Sequence, residues 1–157
     1  MKLYKMSLTE CSFVCEWYYW ESRLKIKGKN VRLIKDNKIG GLAETDFRYA
    51  NKKTISITLR YNIAYLKYVP YGMLLDTIVH EIGHIKRDLP YETVEERIIS
   101  EYGAERYAID TIRRVCPQYL PEIHEHTIAW ILRNKKNIGN STHLRAYLRL
   151  KEYKGVI

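Results

Sequence analysis

The segment Tyr71–Arg87, YGMLLDTIVHEIGHIKR, constrains this chain more than any other. Met73, Leu74, Leu75, Ile78, Val79, Ile82 and Ile85 recur at helical spacing on a broad apolar face. The segment therefore predicts an α-helix that other elements must cover. Asp88-Leu89-Pro90 closes it, because the residue before a proline is pushed out of the α region. The same helix carries His80-Glu81-Ile82-Gly83-His84, and with it two of the chain's five histidines.

Histidines at i and i+4 project from one side of a helix, so both imidazoles reach a single ion. Zinc takes imidazole nitrogen at about 2.0–2.1 Å and prefers four ligands. Glu81 points towards the same centre without being a ligand, placed to take a proton from activated water. Gly83 gives up roughly 1 kcal/mol of helix propensity and leaves room near the ion for another backbone or a ligand. The plainer reading is a metal-free histidine pair; the strongly amphipathic setting weighs against it.

A third protein ligand has to come from elsewhere. A second helix is predicted from about Val94 to Arg114, with Ile98, Tyr102, Ala108, Ile109 and Ile112 as its buried face. Glu101 and Glu105 fall within that stripe, and carboxylates on a buried face are costly unless they meet a cation or hydrogen-bond donors. Glu95 and Glu96 belong to the first turn, where acidic side chains suit the helix N-terminus, and Glu92 precedes it. Phase thus selects Glu101 as the third ligand. Glu105, one turn on, either orients one of the histidines or pairs with Arg106 or Arg87. His124 and His126, spaced i and i+2, face different ways on a helix. At most one points into the cleft, where it would hydrogen-bond a tetrahedral oxyanion; the alternative is a capping or surface histidine beside Pro121. His143 has no assigned role.

The rest of the chain reads as one domain, residues 1–157, of α+β class. Ser7-Leu8-Thr9-Glu10 matches a capping box and opens an N-terminal helix with Cys11, Val14, Trp17, Tyr18 and Leu24 at roughly helical spacing. VRLI (31–34), GLAETDFRY (41–49) and TISITLR (54–60) predict a small antiparallel sheet, with Ile55, Ile57 and Leu59 alternating against polar residues. After Pro117 and Pro121, EIHEHTIAWILRNKK and THLRAYLRLKEY predict C-terminal helices separated by NIGNS.

A chain of 157 residues, 46% apolar and 29% charged, fits a single globular domain able to bury its own core. Its net charge of +9 is uneven: residues 71–112 are acidic and both flanks basic. That pattern suits a dication at the centre, and nucleic acid or an acidic protein on the flanks. A solvated lysine-rich surface is the plainer account of the flanks. Three cysteines without a C-x-x-C pair predict a reducing compartment, with Cys11 and Cys15 as small core hydrophobes on one helix face. The absence of a signal-type h-region or a membrane-length apolar run predicts a cytoplasmic protein with no membrane partner.

HEIGH followed by SEYGAERYAID resembles the zincin metallopeptidases of the gluzincin kind. Over roughly residues 70–110 it is most similar to the ImmA/IrrE-type family, common in phages and mobile elements. That family's second helix carries a glutamate, an alanine three residues on, and an aromatic-alanine pair; here these are Glu101, Ala104 and Tyr107-Ala108. Two positions depart from the pattern: Gly103 stands where a second glutamate is frequent, and Glu105 where asparagine or aspartate is common. The resemblance implies a zincin-like layout, a Zn2+ cofactor on His80, His84 and Glu101, and Glu81 as general base. It also implies a protein substrate, a repressor-type regulator, held extended by strand addition along residues 41–49 or 54–60. A SprT-like protease linked to DNA is the near alternative, with His124 or His126 as third ligand. A rival of another class is a nucleic-acid-associated regulatory module with a structural or inactive zinc site, motivated by the basic RAYLRLKEYK.

Overall fold

The computed structural model describes residues 7–26, 29–88 and 90–134. In chain order it contains α1 (Leu8–Arg23), β1 (Val31–Lys35), β2 (Ala43–Ala50), β3 (Lys53–Tyr61), a short α2 (Ile63–Leu66), α3 (Tyr71–Arg87) and α4 (Val94–Val115). A 3-10 turn (Pro117–Tyr119) then leads into α5 (Leu120–Asn134). The class is α+β, as expected. The predicted helix over THLRAYLRLKEY, the NIGNS spacer and His143 lie outside the described residues.

The sheet is mixed, not antiparallel. Its order is β1-β3-β2, with β2 antiparallel to β3 and β1 parallel to it. The reason lies at the end of β3, where Lys35 and Ala43 flank Tyr61 on opposite sides. The 36–42 connection must therefore pass over that end instead of turning tightly between neighbours. Buried Asn62 holds it there, donating from Nδ2 to the carbonyls of Asn37 (3.2 Å) and Ile39 (3.0 Å), while its N–H reaches Leu42 O at 2.9 Å. With β2 and β3 zipped locally as a hairpin, β1 takes β3's remaining edge, and β2 becomes an edge strand of this sheet.

A β-bulge further alters the predicted alternation. The register shifts between Arg48 and Tyr49, so that Tyr49 pairs with Thr54 and Ile55 is left without a partner. Ile57 and Leu59 are buried as expected, but Ile55 is 59% exposed.

Helix α1 forms where expected and buries Trp17 and Leu24 as expected, but its stripe is rotated away from Cys11 and Tyr18. Phe13, Trp17, Trp20 and Leu24 enter the core; Cys11, Cys15 and Tyr18 are exposed, which corrects the placement of the cysteines in the core. The large rings decide the helix's rotation, since Phe and Trp remove far more apolar surface from water than a thiol. Only half of the Ser7 capping box forms: Glu10 N–H donates to Ser7 Oγ at 3.2 Å. The Glu10 carboxylate instead turns inwards, accepting from Tyr61 Oη (3.1 Å) and Lys35 Nζ (3.2 Å). A complete capping box, not foreseen, starts α4, where Thr93 and Glu96 bond each other's backbone N–H groups.

Helix α3 is the centre of the core, with Leu75, Ile78, Val79, Ile82 and Ile85 all buried. Pro70 offers it no side-chain cap; Glu122 of α5 supplies one, accepting the Gly72 N–H at 2.9 Å. At its other end Asp88 adopts a left-handed conformation, φ 42°, one that aspartate tolerates better than most residues. Helices α3 and α4 meet at Gly83, where a β-carbon would lie 3.0 Å from both Cα and O of Ala104 and 3.2 Å from Tyr107 Cδ1. Two small residues thus bring the backbones close enough for side chains on both helices to converge. Gly83→Val should force them apart, costing about 3 kcal/mol and weakening whatever the convergence holds. Thermal melting together with metal titration measures both effects; an unchanged melting temperature would contradict the close approach.

Candidate metal centre

Three side chains converge at the α3–α4 crossing. His80 Nε2 and His84 Nε2 are 3.1 Å apart, and Glu101 Oε2 lies 3.3 Å from each. A tetrahedral ion with bonds of about 2.0–2.1 Å keeps its ligands about 3.3 Å apart, so these atoms match three corners of one coordination sphere. Among the described residues they form the candidate metal-binding group. Nearly buried nitrogen and carboxylate donors at such spacing are costly without a cation between them, which makes the donor set a fit to a divalent ion.

Each histidine is held from behind. His80 Nδ1 is 2.9 Å from Glu105 Oε2, and His84 Nδ1 is 3.1 Å from Ser100 Oγ. When each ring is neutral and donates from Nδ1, its Nε2 lone pair is turned towards the centre. Glu105 thus lies where a histidine-orienting acceptor would, against His80 Nδ1. Ser100 was not anticipated, although its position next to Glu101 could have suggested it.

Glu81 is buried and turns towards the sheet. Thr45 Oγ1 donates to its Oε2 at 2.6 Å, fixing one carboxylate oxygen. No sequence signal identifies Thr45, because the pairing joins a strand and a helix 36 residues apart. Asp76, a further unanticipated residue, lies four residues before His80 on α3. It is 4% exposed, and its Oδ1 has no hydrogen-bond partner among the described residues. Its i−4 spacing from His80 was readable in the sequence.

The charges are strongly coupled. Burial opposes a charged His80, but hydrogen bonds to Glu101 and Glu105, together with the nearby Glu105 and Glu81 charges, raise its pKa well above the usual imidazole value. Burial, then the Glu105 charge, also raises Asp76 well above the carboxylate range, with His80 partly offsetting. Both shifts mean that the metal-free folded protein binds more protons than the unfolded chain. Its stability should fall as pH rises above 6.5 through the raised His80 pKa, and from 3.8 upwards through that of Asp76. Metal uptake has to displace the His80 proton, so the metal-stabilised increment should grow with pH. Melting curves at about pH 6 and about pH 9, with and without chelator, check the sign. The chelated protein should melt lower at the higher pH, and the gap to the loaded protein should widen.

His124 and His126 do not join the ligand atoms. Both are half-buried on α5. His124 Nε2 is buried without a hydrogen-bond partner among the described residues, and burial, then the Arg113 charge, lowers its pKa against the opposing pull of Glu105. Among the described residues no helix is long and apolar enough to cross a membrane. Comparison of the chain with protein-family models, with curated proteins and with solved structures gave no match in any of the three.

Proposed function

We propose that this protein is a zinc-dependent endopeptidase of the gluzincin kind, with His80, His84 and Glu101 as ligands and Glu81 as general base. The observation that carries the reading is the 3.1–3.3 Å triangle of His80 Nε2, His84 Nε2 and Glu101 Oε2, with Glu81 buried on the same helix. When bound there, Zn2+ supplies a Lewis acid and lowers the pKa of water towards 7. Glu81 removes the proton from the attacking water and passes it to the departing amine. Thr45 leaves one Glu81 oxygen for that task by engaging the other. The edge strand β2, beside α3, is suited to hold a substrate extended by strand addition. The grouping of Glu101, and neither His124 nor His126, with the two histidines favours the ImmA/IrrE-type resemblance over the SprT-like one. A repressor-type regulator as substrate follows from that resemblance alone.

The test is to incubate the zinc-loaded protein with a library of proteome-derived peptides and identify newly formed termini by mass spectrometry. Cleavage should appear with zinc and disappear on chelation. An absence of new termini in the zinc-loaded sample would count against the reading.

A further inference from the structure

Beyond the reacting atoms, the helix-facing side of β2 changes character along its length. Cross-strand pairing puts Thr45 opposite Leu59 and Phe47 opposite Ile57, so both share the face that α3 covers. The bulge in β3 preserves this for Tyr49, which pairs with Thr54, and the Thr54 hydroxyl bonds the Asp88 carboxylate at the end of α3. Thr45 meets Glu81 at one end and the Tyr49–Thr54 pair meets Asp88 at the other. Four strand residues span about 13 Å and seven helix residues about 10.5 Å, so strand and helix run side by side in the same direction. Glu44 and Asp46 are tied instead to Arg60, at 3.1 and 2.6 Å.

Along this line the proton-handling pair Thr45–Glu81 gives way to two stacked rings. Phe47 and Tyr49 lie 6.0 Å apart between centroids with planes at 19°. Both are half-buried, so part of each residue stays accessible. We infer that Phe47 and Tyr49 are specificity-determining residues that select aromatic or large aliphatic side chains at alternate positions of an extended peptide, on one side of the bond opposite Thr45. The inference rests on the reading of this cleft as a peptide-binding active site. A peptide added to the edge of β2 turns every second side chain towards the helix, and those facing Phe47 and Tyr49 come within cross-strand packing distance. Small or charged side chains at these positions leave the rings uncovered or bring charge against an apolar wall.

The test separates binding from hydrolysis by using the full-length Glu81→Gln protein. Fluorescein-labelled peptides alternating threonine with phenylalanine, leucine or alanine are titrated by anisotropy. The phenylalanine and leucine peptides should bind about tenfold or more tightly than the alanine peptide. Tyr49→Ser should remove most of that preference, as should Phe47→Ser where the melting temperature shows it folded, while Tyr65→Ser, at an exposed tyrosine on α2, should leave it intact. Equal binding of the three peptides, or a preference that survives Tyr49→Ser, overturns the inference even if the wild type cuts peptides. A preference lost in Tyr49→Ser upholds it even if the wild type cuts nothing, and the hydrolysis reading then fails alone.

Discussion

Glu101→Ala should abolish stoichiometric zinc binding while leaving a folded protein. The substitution removes one of three converging donors and leaves His80 Nδ1 on Glu105 (2.9 Å) and His84 Nδ1 on Ser100 (3.1 Å). Alanine is the strongest helix former, so α4 should persist. The affinity loss should exceed about 100-fold, the upper range seen when only an orienting partner of a ligand is removed. Glu105→Ala supplies the contrast: it leaves all three donors in place and frees the His80 ring, so its loss should lie at about 10–100-fold. Competition with a chelator of known affinity measures both. Equal zinc affinity in wild type and Glu101→Ala would remove Glu101 from the ligand set, and a reversed order of the two variants would exchange their roles.

Glu81→Gln should retain zinc and lose hydrolysis by about 10²–10⁴-fold, the usual contribution of a positioned general base. Glutamine matches glutamate in shape, and its carbonyl oxygen can still accept from Thr45 Oγ1. The variant therefore removes the proton acceptor without disturbing the groups around it. Zinc content and peptide cleavage are measured on one preparation. Wild-type turnover in that variant would show that another group takes the proton.

The two predictions rest on different kinds of legibility. His80, Glu81 and His84 are readable because a helix maps sequence spacing directly onto direction: residues four apart lie on one side whatever surrounds them. Glu101 is readable for a related reason, since the apolar stripe of α4 gives its phase and a carboxylate inside that stripe needs a cation or hydrogen-bond donors. Glu105 shares the phase, which is why its role stayed open between a histidine and an arginine. The α3–α4 crossing at Gly83 and Ala104 brings it to 2.9 Å from His80 Nδ1. Thr45 had no signal at all, because strand-to-helix pairing over a long separation depends on the register of the sheet.

Helix spacing does not by itself rank the sides of α1, and there the reading of Cys11 and Cys15 failed. Their i and i+4 positions are consistent with burial, yet Phe13, Trp17 and Trp20 compete for the core with larger apolar surfaces and turn the cysteines outwards. The sheet failed differently. Local alternation identified three strands, but the neighbour of β1 depended on Asn62 anchoring the 36–42 connection across the end of β3.

By itself, the sequence determined the positions and buried faces of α3 and α4, and with them the phase of His80, Glu81, His84 and Glu101. Each follows from helical periodicity and the cost of burying charge, both local properties. The tertiary structure alone decided the mixed sheet, the edge position of β2, the Thr45–Glu81 bond and the His80–Glu105 and His84–Ser100 pairs. These require distant segments to be brought together, and the packing of large rings, small residues at a crossing and a buried asparagine is what brings them there.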